Sequence, residues 1–562
     1  MWRIAFILPL TLLAGPLLRA QGQEQEAPRL EIGRQLITKL GCPGCHSIAD
    51  PAFTGLRKSG SDLRRIASKT NPSWTRRWVT APRELRSTTW MPHLLEDADP
   101  EEIRGIVAYL WASSQPLEYA SPPAGDPARG EGLFNSVGCT GCHIRDAAAE
   151  RQHLPELYRL QGPNLAHLGS KVNAAWLFAW IENPKQYAPD TLMPSVPLSG
   201  QEVADLTAFL MASRAPEQEG VESPPTGEDE VEAGREAIEL YGCYGCHEIT
   251  GFEGADQHAS ELQSAEGFTG HGLSGLPDFG LSERELELIG ATVGGGLGEG
   301  DPALAEGRKL ITQHNCRGCH TIEGRGQAVR ATIDDAGMLP PNLTSEGSRV
   351  QPEWLSGYLV DPGIARQRHW LRVQMPTFGF SGEEIRTIVA YFSGLEDKEL
   401  ALQPVGPASA RSIAVGRETY NLLDCGRCHP ASGEAGEAPD IAAVNLAPSL
   451  EFANQRLRYE WIPLWIKNPQ RWLPGTQMPT FFFESAPGVF DTPFPNGLDA
   501  PMFAKSKARL MEHFNSSEEL NSYLENADAV IDAVTTYIWS LGQSPTESRT
   551  DVESPTMAVR SP

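Results

Sequence analysis

The chain has 562 residues and a formal net charge of −25 at pH 7, with abundant glycine (54) and proline (45). This acidity excludes nucleic-acid binding as the main function, because phosphate backbones are recognised by basic surfaces. It suits either an ordinary charged surface or electrostatic attraction to a partner with a basic patch. The length predicts three to five domains, and the glycine and proline content favours small, loop-rich ones.

The N-terminal segment is typical of a secretory signal peptide. Arg3 provides the positive start, residues 4–18 form an apolar run, and cleavage is predicted after Ala20. The run is shorter than the roughly 20 residues that a membrane-spanning helix needs, so a retained N-terminal anchor is the less favoured interpretation. We expect an exported, periplasmic protein whose mature chain has no transmembrane segment.

Five C-x-x-C-H pentads contain all the cysteines of the chain. The pattern is the attachment signature of c-type haem, in which two thiols form thioether bonds to one porphyrin and the following histidine binds the iron. A structural zinc site would need four ligands, usually from a second C-x-x-C pair nearby, and no predicted domain has one. We therefore predict five haem c groups. The covalent sites are Cys42 and Cys45, Cys139 and Cys142, Cys243 and Cys246, Cys316 and Cys319, and Cys425 and Cys428; the proximal ligands are His46, His143, His247, His320 and His429.

The pentads belong to an internal repeat. A glycine lies upstream of the first cysteine at the same distance in every copy, and a large apolar residue follows that glycine by one helical turn. Such a pair shares one helix face, so the pattern predicts a helix leading into each pentad, with the glycine allowing another helix to approach closely. The glycines are Gly33, Gly130, Gly234, Gly307 and Gly416.

The second repeat shows the rest of the pattern most clearly. A loop at 162–165 follows the pentad, and its backbone is predicted to accept the free N–H of His143, a contact that orients a ligating imidazole. Trp176 and Trp180, one turn apart, then indicate an amphipathic helix. A closing helix is predicted to start near Ser199.

A Met-Pro pair follows four of the pentads at a similar place. A single methionine would usually be core packing, but this recurrence favours a sixth iron ligand, since a thioether opposite histidine raises the reduction potential. His93 and Met502 are less favoured substitutes in the first and fifth repeats. The predicted distal ligands are Met91, Met193, Met375 and Met478.

The third repeat departs from this pattern, because Leu276 holds the position of the methionine and Thr292 replaces an aromatic residue of the closing helix. Three alternatives follow for the haem of this repeat. Its sixth ligand is a histidine, His271 or the less favoured His258; or a residue from a neighbouring domain reaches the iron; or the iron keeps an open position for catalysis or sensing.

Each repeat resembles a class I monohaem cytochrome c domain in its order of helix, pentad, Gly-Pro-x-Leu loop, aromatic helix, Met-Pro loop and closing helix. The chain is thus similar to multihaem c-type cytochromes built from tandem domains. The resemblance implies an all-α fold of five cytochrome c-like domains, each organised around a covalently bound haem. The predicted boundaries are 1–20 for the signal peptide, 28–113, 127–214, 231–294, 304–396 and 411–542 for domains 1 to 5, with an insertion at about 484–525 in domain 5 and a disordered tail at 543–562.

The resemblance implies electron transfer along a chain of haems between redox partner proteins. A membrane quinol-oxidising complex and a downstream acceptor are the expected respiratory partners. The alternative is a haem enzyme, a peroxidase or small-molecule reductase, with its catalytic site at the third haem. A further interpretation is a structural subunit of a larger respiratory assembly.

Overall fold

The structure is a computed structural model that describes most of the chain. Four candidate residues lie outside the described residues, namely His258, His271, Leu276 and Met502, as do the predicted signal peptide and tail. Within the described residues, no helix combines the length and the apolar character needed to cross a membrane. The described ranges are 29–48, 53–87, 89–95, 98–146, 161–215, 226–255, 278–294, 302–363, 372–395, 408–429, 447–494, 498 and 503–542.

Helices dominate the described residues, which confirms the predicted all-α fold. The helices are α1 (29–40), α2 (Ile66–Lys69), α3 (Pro72–Thr80), α4 (Pro82–Leu85), α5 (Pro100–Ala112), α6 (Pro127–Ser136), α7 (Leu168–Lys171), α8 (Ala174–Glu182), α9 (Pro184–Tyr187), α10 (Gly200–Met211), α11 (Glu228–Tyr241), α12 (Glu283–Gly294), α13 (Pro302–Gln313), α14 (Cys316–Cys319), α15 (Glu346–Arg349), α16 (Pro352–Val360), α17 (Gly382–Gly394), α18 (Ala410–Leu422), α19 (Ala453–Arg456), α20 (Trp461–Lys467), α21 (Pro469–Trp472), α22 (Ala504–Met511), α23 (Ser517–Glu525) and α24 (Ala527–Ser540). Two antiparallel hairpins pair β1 (Thr321–Ile322) with β2 (Arg325–Gly326) and β3 (Phe483–Ala486) with β4 (Val489–Asp491).

Contacts divide the chain into two compact units. The first unit comprises Met1–Asp334 and Val373–Gly379, and the second comprises Asp335–Arg372 and Phe380–Pro562. The first unit therefore contains four of the five pentads. The fourth repeat contributes to both units, because its pentad and Met-Pro pair belong to the first and its closing helix α17 to the second.

The second repeat packs its entry helix α6 against its own closing helix α10. Asp126 caps α6 by accepting the backbone N–H groups of Ala128 and Arg129, and Ser199 forms a capping box with Glu202 at the start of α10. A Cβ on Gly130 would collide with a backbone oxygen of α10, so the glycine allows the close approach that the sequence predicts. The core around this pair consists of buried residues from α6 to α10: Leu133, Phe134, Val137, Leu168, Val172, Trp176, Leu177, Ile181, Tyr187, Ala188, Val203, Leu206, Phe209 and Leu210.

The first and third repeats do not pair in this way. The closing helix of the first repeat, α5, packs against the entry helix of the third, α11, and a Cβ on Gly234 would collide with the carbonyl oxygen of Gly105. Glu102 accepts a hydrogen bond from the Tyr241 hydroxyl at 3.0 Å across the same contact. The core of this pair draws on both repeats: Ile66, Leu95, Ile103, Ile106 and Leu110 from the first, and Ala237, Ile238, Ile249 and Phe252 from the third.

The complementary pair joins the entry helix of the first repeat, α1, to the closing helix of the third, α12. Leu36, Ile37, Leu288 and Ile289 are each fully buried in one cluster. Burial of a side chain of this kind stabilises a fold by roughly 1.5–3 kcal/mol. Gly33 lies so close to α12 that a Cβ on it would meet Thr292. The two repeats thus form two mixed helix pairs.

In the second unit, α18 and α24 form the helix pair of the fifth repeat. Gly416 again marks the contact, because a Cβ there would collide with the carbonyl oxygen of Ala533. The predicted insertion contributes to this core through several buried side chains rather than lying apart from it. Those residues are Phe494, Leu498, Leu510, Leu520 and Leu524.

Candidate haem sites

Every pentad forms a tight turn that opens on a left-handed residue. The backbone φ angle before the first cysteine is positive in all five copies, and a turn of 3-10 or α-helix then spans the two cysteines. The histidine N–H donates to the carbonyl of the first cysteine, for example at 2.9 Å from His143 to Cys139. This left-handed position is not part of the predicted repeat, although its residue types, Gly, Asn and Asp, favour positive φ. The residues are Gly41, Gly138, Gly242, Asn315 and Asp424.

Three of the candidate proximal histidines are oriented by a backbone carbonyl. Nδ1 of His143 lies 2.8 Å from the oxygen of Pro163, as the sequence predicts, and Nδ1 of His429 lies 2.8 Å from that of Pro448. A carbonyl can only accept, so Nδ1 carries the proton and Nε2 is left to bind a metal. Burial lowers the pKa of both imidazoles, which favours the neutral, ligating form.

The third histidine finds its acceptor in another repeat. Nδ1 of His247 lies 2.8 Å from the backbone oxygen of Ser61 in the first repeat. The backbone hydrogen bond next to this contact has an equivalent in the second repeat. The N–H of Gly60 donates to Cys246 at 2.8 Å, and that of Gly162 donates to Cys142 at 2.9 Å.

Two of the candidate distal methionines have the same hydrogen-bonded surroundings. The indole N–H of Trp78 lies 2.9 Å from Sδ of Met91, and that of Trp180 lies 2.9 Å from Sδ of Met193. In both repeats, a tryptophan side chain on a preceding helix therefore positions the methionine sulfur.

A threonine two residues before the methionine supports the same loop. The backbone N–H of Met91, Met193 and Met478 each donates to such a threonine hydroxyl, at 3.2, 3.2 and 3.3 Å. This Thr-x-Met pattern is visible in the sequence and marks the loop in three repeats. The fourth repeat lacks it, because Val373 precedes Met375 at that position.

The pentads of the first unit face one another in pairs. A Cβ on Gly44 of the first pentad would collide with the carbonyl oxygen of Gly245 in the third. In the second pair, a Cβ on Gly141 would lie 2.9 Å from Sγ of Cys319 in the fourth pentad. The first pentad therefore pairs with the third, and the second pairs with the fourth. The spacing of the pentads in the sequence does not predict these pairs.

The Met-Pro loops pair in the same combination. Ser195, two residues after Met193, forms an antiparallel bridge with Thr377, two residues after Met375. His93, two residues after Met91, bridges Asp278 of the third repeat in the same way. Nε2 of His93 lies 2.9 Å from the Thr80 carbonyl, so this ring nitrogen is engaged by the backbone.

The donors of the first unit fit haem as a ligand. The indole N–H groups of Trp74 and Trp176, at equivalent places in two repeats, are buried and have no hydrogen-bond partner among the described residues; neither has Nε of Arg86. Lys69 and Lys171 lie over the Trp176 and Trp78 rings at 5.0 Å, and burial lowers their pKa values. Haem propionates are carboxylates, and they would supply the acceptors and negative charge that this cluster needs.

The surroundings of the first pentad raise the pKa of both its thiols. Burial raises the pKa of Cys42 to about 12 and that of Cys45 to about 11. Among the described residues, no group of three or more His, Cys, Asp and Glu side chains is arranged to hold a metal ion.

Comparison with known proteins identifies the family. The cytochrome c family model matches residues 127–214 and 304–396. A cytochrome c of Chlamydomonas reinhardtii is 33% identical over 110 residues, which cover 17% of this chain and 97% of that protein. A cytochrome c of Theileria annulata is 35% identical over 100 residues, covering 16% of this chain and 86% of that protein.

The chain belongs to the cytochrome c family. This assignment implies covalently bound haem c and haem-based electron transfer. No solved structure matches the chain. The single-domain relatives are much shorter than this cytochrome, so the number of haems and the individual iron ligands stay predictions.

Proposed function

We propose that this cytochrome is a periplasmic pentahaem protein that carries electrons between a membrane quinol-oxidising complex and a downstream acceptor. The observation that carries the proposal is the pairing of pentads within the first unit, where Gly44 meets Gly245 and Gly141 meets Gly318 and Cys319. Attachment sites that touch bring their cofactors close together. Electron tunnelling falls steeply with distance, so such pairs favour transfer along the chain.

The roles of the residues follow the pentad geometry. In each pentad the two cysteines would hold the porphyrin through thioether bonds and the histidine would bind the iron. A methionine sulfur would be the second protein ligand in four sites, and Trp78 and Trp180 position two of these sulfurs. Haem c supplies a one-electron couple between ferric and ferrous iron.

The surroundings of the sites tune that couple. Buried apolar side chains such as Trp74, Trp176 and Phe209 exclude water, and a low-dielectric site with a methionine ligand favours the less charged, ferrous state. Burial lowers the pKa of His247 most, and Lys69, Lys58 and Lys171 lower it further, so these lysines act electrostatically on the third site. A cation near the iron stabilises the ferrous state and raises the reduction potential.

The two pairs are also joined to each other. Arg317 of the fourth repeat forms an ion pair with Glu31 of the first repeat at 2.9 Å. Lys39 of the first repeat lies near enough to Cys142 to contribute to its pKa. Four sites thus form one connected group, while the fifth site belongs to the second unit.

The test combines haem stoichiometry with electron transfer. Mass spectrometry of the mature, exported protein is expected to show five haem adducts and cleavage after Ala20. Native membranes supplied with a quinol are expected to reduce all five haems. Fewer than five adducts, or a protein that stays oxidised beside respiring membranes, would overturn the proposal. Rapid peroxide turnover by the purified protein would favour the enzyme alternative instead.

A further inference from the structure

The first and third repeats exchange the halves of their sites. In the second repeat, the pentad, the loop that orients its histidine, the Met-Pro loop and the closing helix all come from one repeat. In the third, the loop that accepts from His247 is residues 60–63 of the first repeat. The N–H of Leu63 donates to Glu248 at 2.9 Å, matching that of Leu165 to Ile144 at 2.8 Å.

The rest of the first repeat follows that loop toward the third pentad. The closing helix α5 lies on α11, and the hydroxyl of Tyr109 donates to the carbonyl of Thr250 at 2.9 Å, beyond the third pentad. Cys243 itself packs against the mixed core that contains Ile106, as does Val79 of the first repeat. Residues 60–112 of the first repeat therefore pack against the third pentad in the same way that residues 162–211 pack against the second pentad.

Met91 lies inside this transferred segment. Its sulfur accepts from Trp78 on α3 at 2.9 Å, as the sulfur of Met193 accepts from Trp180 on α8 at the same distance. In the second repeat this methionine is the candidate partner of His143. The matching partner of Met91 is His247 and not His46, although His46 belongs to the same repeat.

The first pentad receives the segment that lacks a methionine. Its entry helix α1 packs against α12 of the third repeat, and Cys42 packs against the cluster that contains Leu288, as does Phe279 of the third repeat. Gly33 meets Thr292 where Gly130 meets Phe209. The residue that replaces an aromatic in the third repeat is thus a neighbour of the first entry helix.

We propose that Met91 is the sixth ligand of the haem held by Cys243, Cys246 and His247. The haem held by Cys42, Cys45 and His46 is then the one without a methionine ligand. The inference rests on the proposed function for its five haems, and it moves the candidate open or bis-histidine site from the third pentad to the first.

The test counts methionine-ligated haems after one attachment site is removed. Methionine ligation is read from the axial methyl resonances of the ferrous protein and from the charge-transfer band of the ferric protein. Wild type should show methionine ligation at four haems. Replacing Cys243 and Cys246 by serine should leave three such haems among four, whereas replacing Cys42 and Cys45 should leave four among four. The reverse pattern would overturn the exchange.

A second variant makes the result independent of how well each protein folds. Met91→Ala should remove one methionine-ligated haem when the first site is deleted and none when the third site is deleted. Met193→Ala is the matched control and should remove one in both backgrounds. A loss from Met91→Ala without the third haem would contradict the proposal. Wild type with fewer than five haems would instead contradict the proposed function.

Crosslinking then decides whether one chain makes the exchange. Nζ of Lys58 lies 3.7 Å from a carboxylate oxygen of Glu248, so a zero-length carbodiimide crosslink should join their peptides in the monomer fraction. Lys58→Arg should abolish this product. Its absence from monomeric wild-type protein would overturn an exchange within one chain.

Discussion

Gly105 and Gly234 bring two helix backbones into direct contact, since a Cβ on Gly105 would lie 2.9 Å from the backbone nitrogen of Gly234. The two residues belong to α5 of the first repeat and α11 of the third. Each glycine leaves room for the backbone of the other helix, because neither carries a side chain at the contact. The contact therefore ties the stability of one repeat to that of another.

Gly234→Ala is expected to lower the unfolding midpoint of the whole first unit. The added methyl group meets the carbonyl of Gly105, and overpacking of this kind costs typically 1–3 kcal/mol. The control is Gly132→Ala on α6, where nothing lies within 4 Å of an added Cβ; it should stabilise by about 0.5–1 kcal/mol through helix propensity. Thermal unfolding of the haem-loaded proteins compares the two, and equal midpoints would contradict the close contact.

The repeat pattern in the sequence was sufficient to predict the local parts of each site. The entry helices, the acceptor loop of His143 and the glycine contacts all depend on residues at short, fixed separations. The pattern could not predict which entry helix packs against which closing helix, because Gly234 would allow any closing helix with a small residue at the contact to approach. The choice depends on cross-repeat contacts such as Tyr241 with Glu102, which no periodicity reveals.

Trp180→Phe is expected to weaken the bond between Met193 and iron. The variant keeps the aromatic packing but loses the N–H donated to sulfur at 2.9 Å. A hydrogen bond of this kind contributes about 0.5–1.5 kcal/mol, so the affinity of one haem for carbon monoxide should rise by roughly two- to tenfold.

Trp176→Phe is the comparison for this variant. Its indole N–H has no partner among the described residues and does not approach the methionine sulfur. If this N–H binds a haem propionate, the comparison variant should shift a reduction potential, and it should leave the carbon monoxide affinity unchanged. If both variants bound carbon monoxide alike, the tryptophan would not position the sulfur.

Lys171→Met is expected to lower the reduction potential of the haem held by His247. Burial lowers the pKa of His247 most, and the nearby Lys69, Lys58 and Lys171 lower it further. The pKa of Lys171 is itself lowered by burial, with Arg86 and Lys69 adding to the effect. Where Lys171 is protonated, removing it destabilises ferrous iron, by about 40 mV for each kcal/mol of lost interaction for a one-electron couple. Spectroelectrochemical titration measures the shift. Lys505→Met, at an exposed position, is the control and should leave every potential in place.

Glu31→Ala is expected to destabilise the protein far more than loss of an exposed carboxylate. Oε1 of Glu31 lies 2.9 Å from Arg317, the residue between the cysteines of the fourth pentad, and both side chains are 2% exposed. Breaking a buried ion pair from one side costs about 3–5 kcal/mol because the remaining charge is left without compensation. Glu323, at 2.7 Å from the same guanidinium, should keep the loss near the lower end.

The control for this buried pair is Glu232→Ala. Its carboxylate pairs with Arg235 at 2.9 Å, with side chains 59% and 42% exposed, and exposed pairs contribute about 0–1 kcal/mol. Denaturant unfolding of the haem-loaded proteins measures both effects, and adding Arg317→Met to Glu31→Ala should recover part of the loss, since the uncompensated charge is then gone. Equal losses from Glu31→Ala and Glu232→Ala would show that Arg317 does not depend on the first repeat.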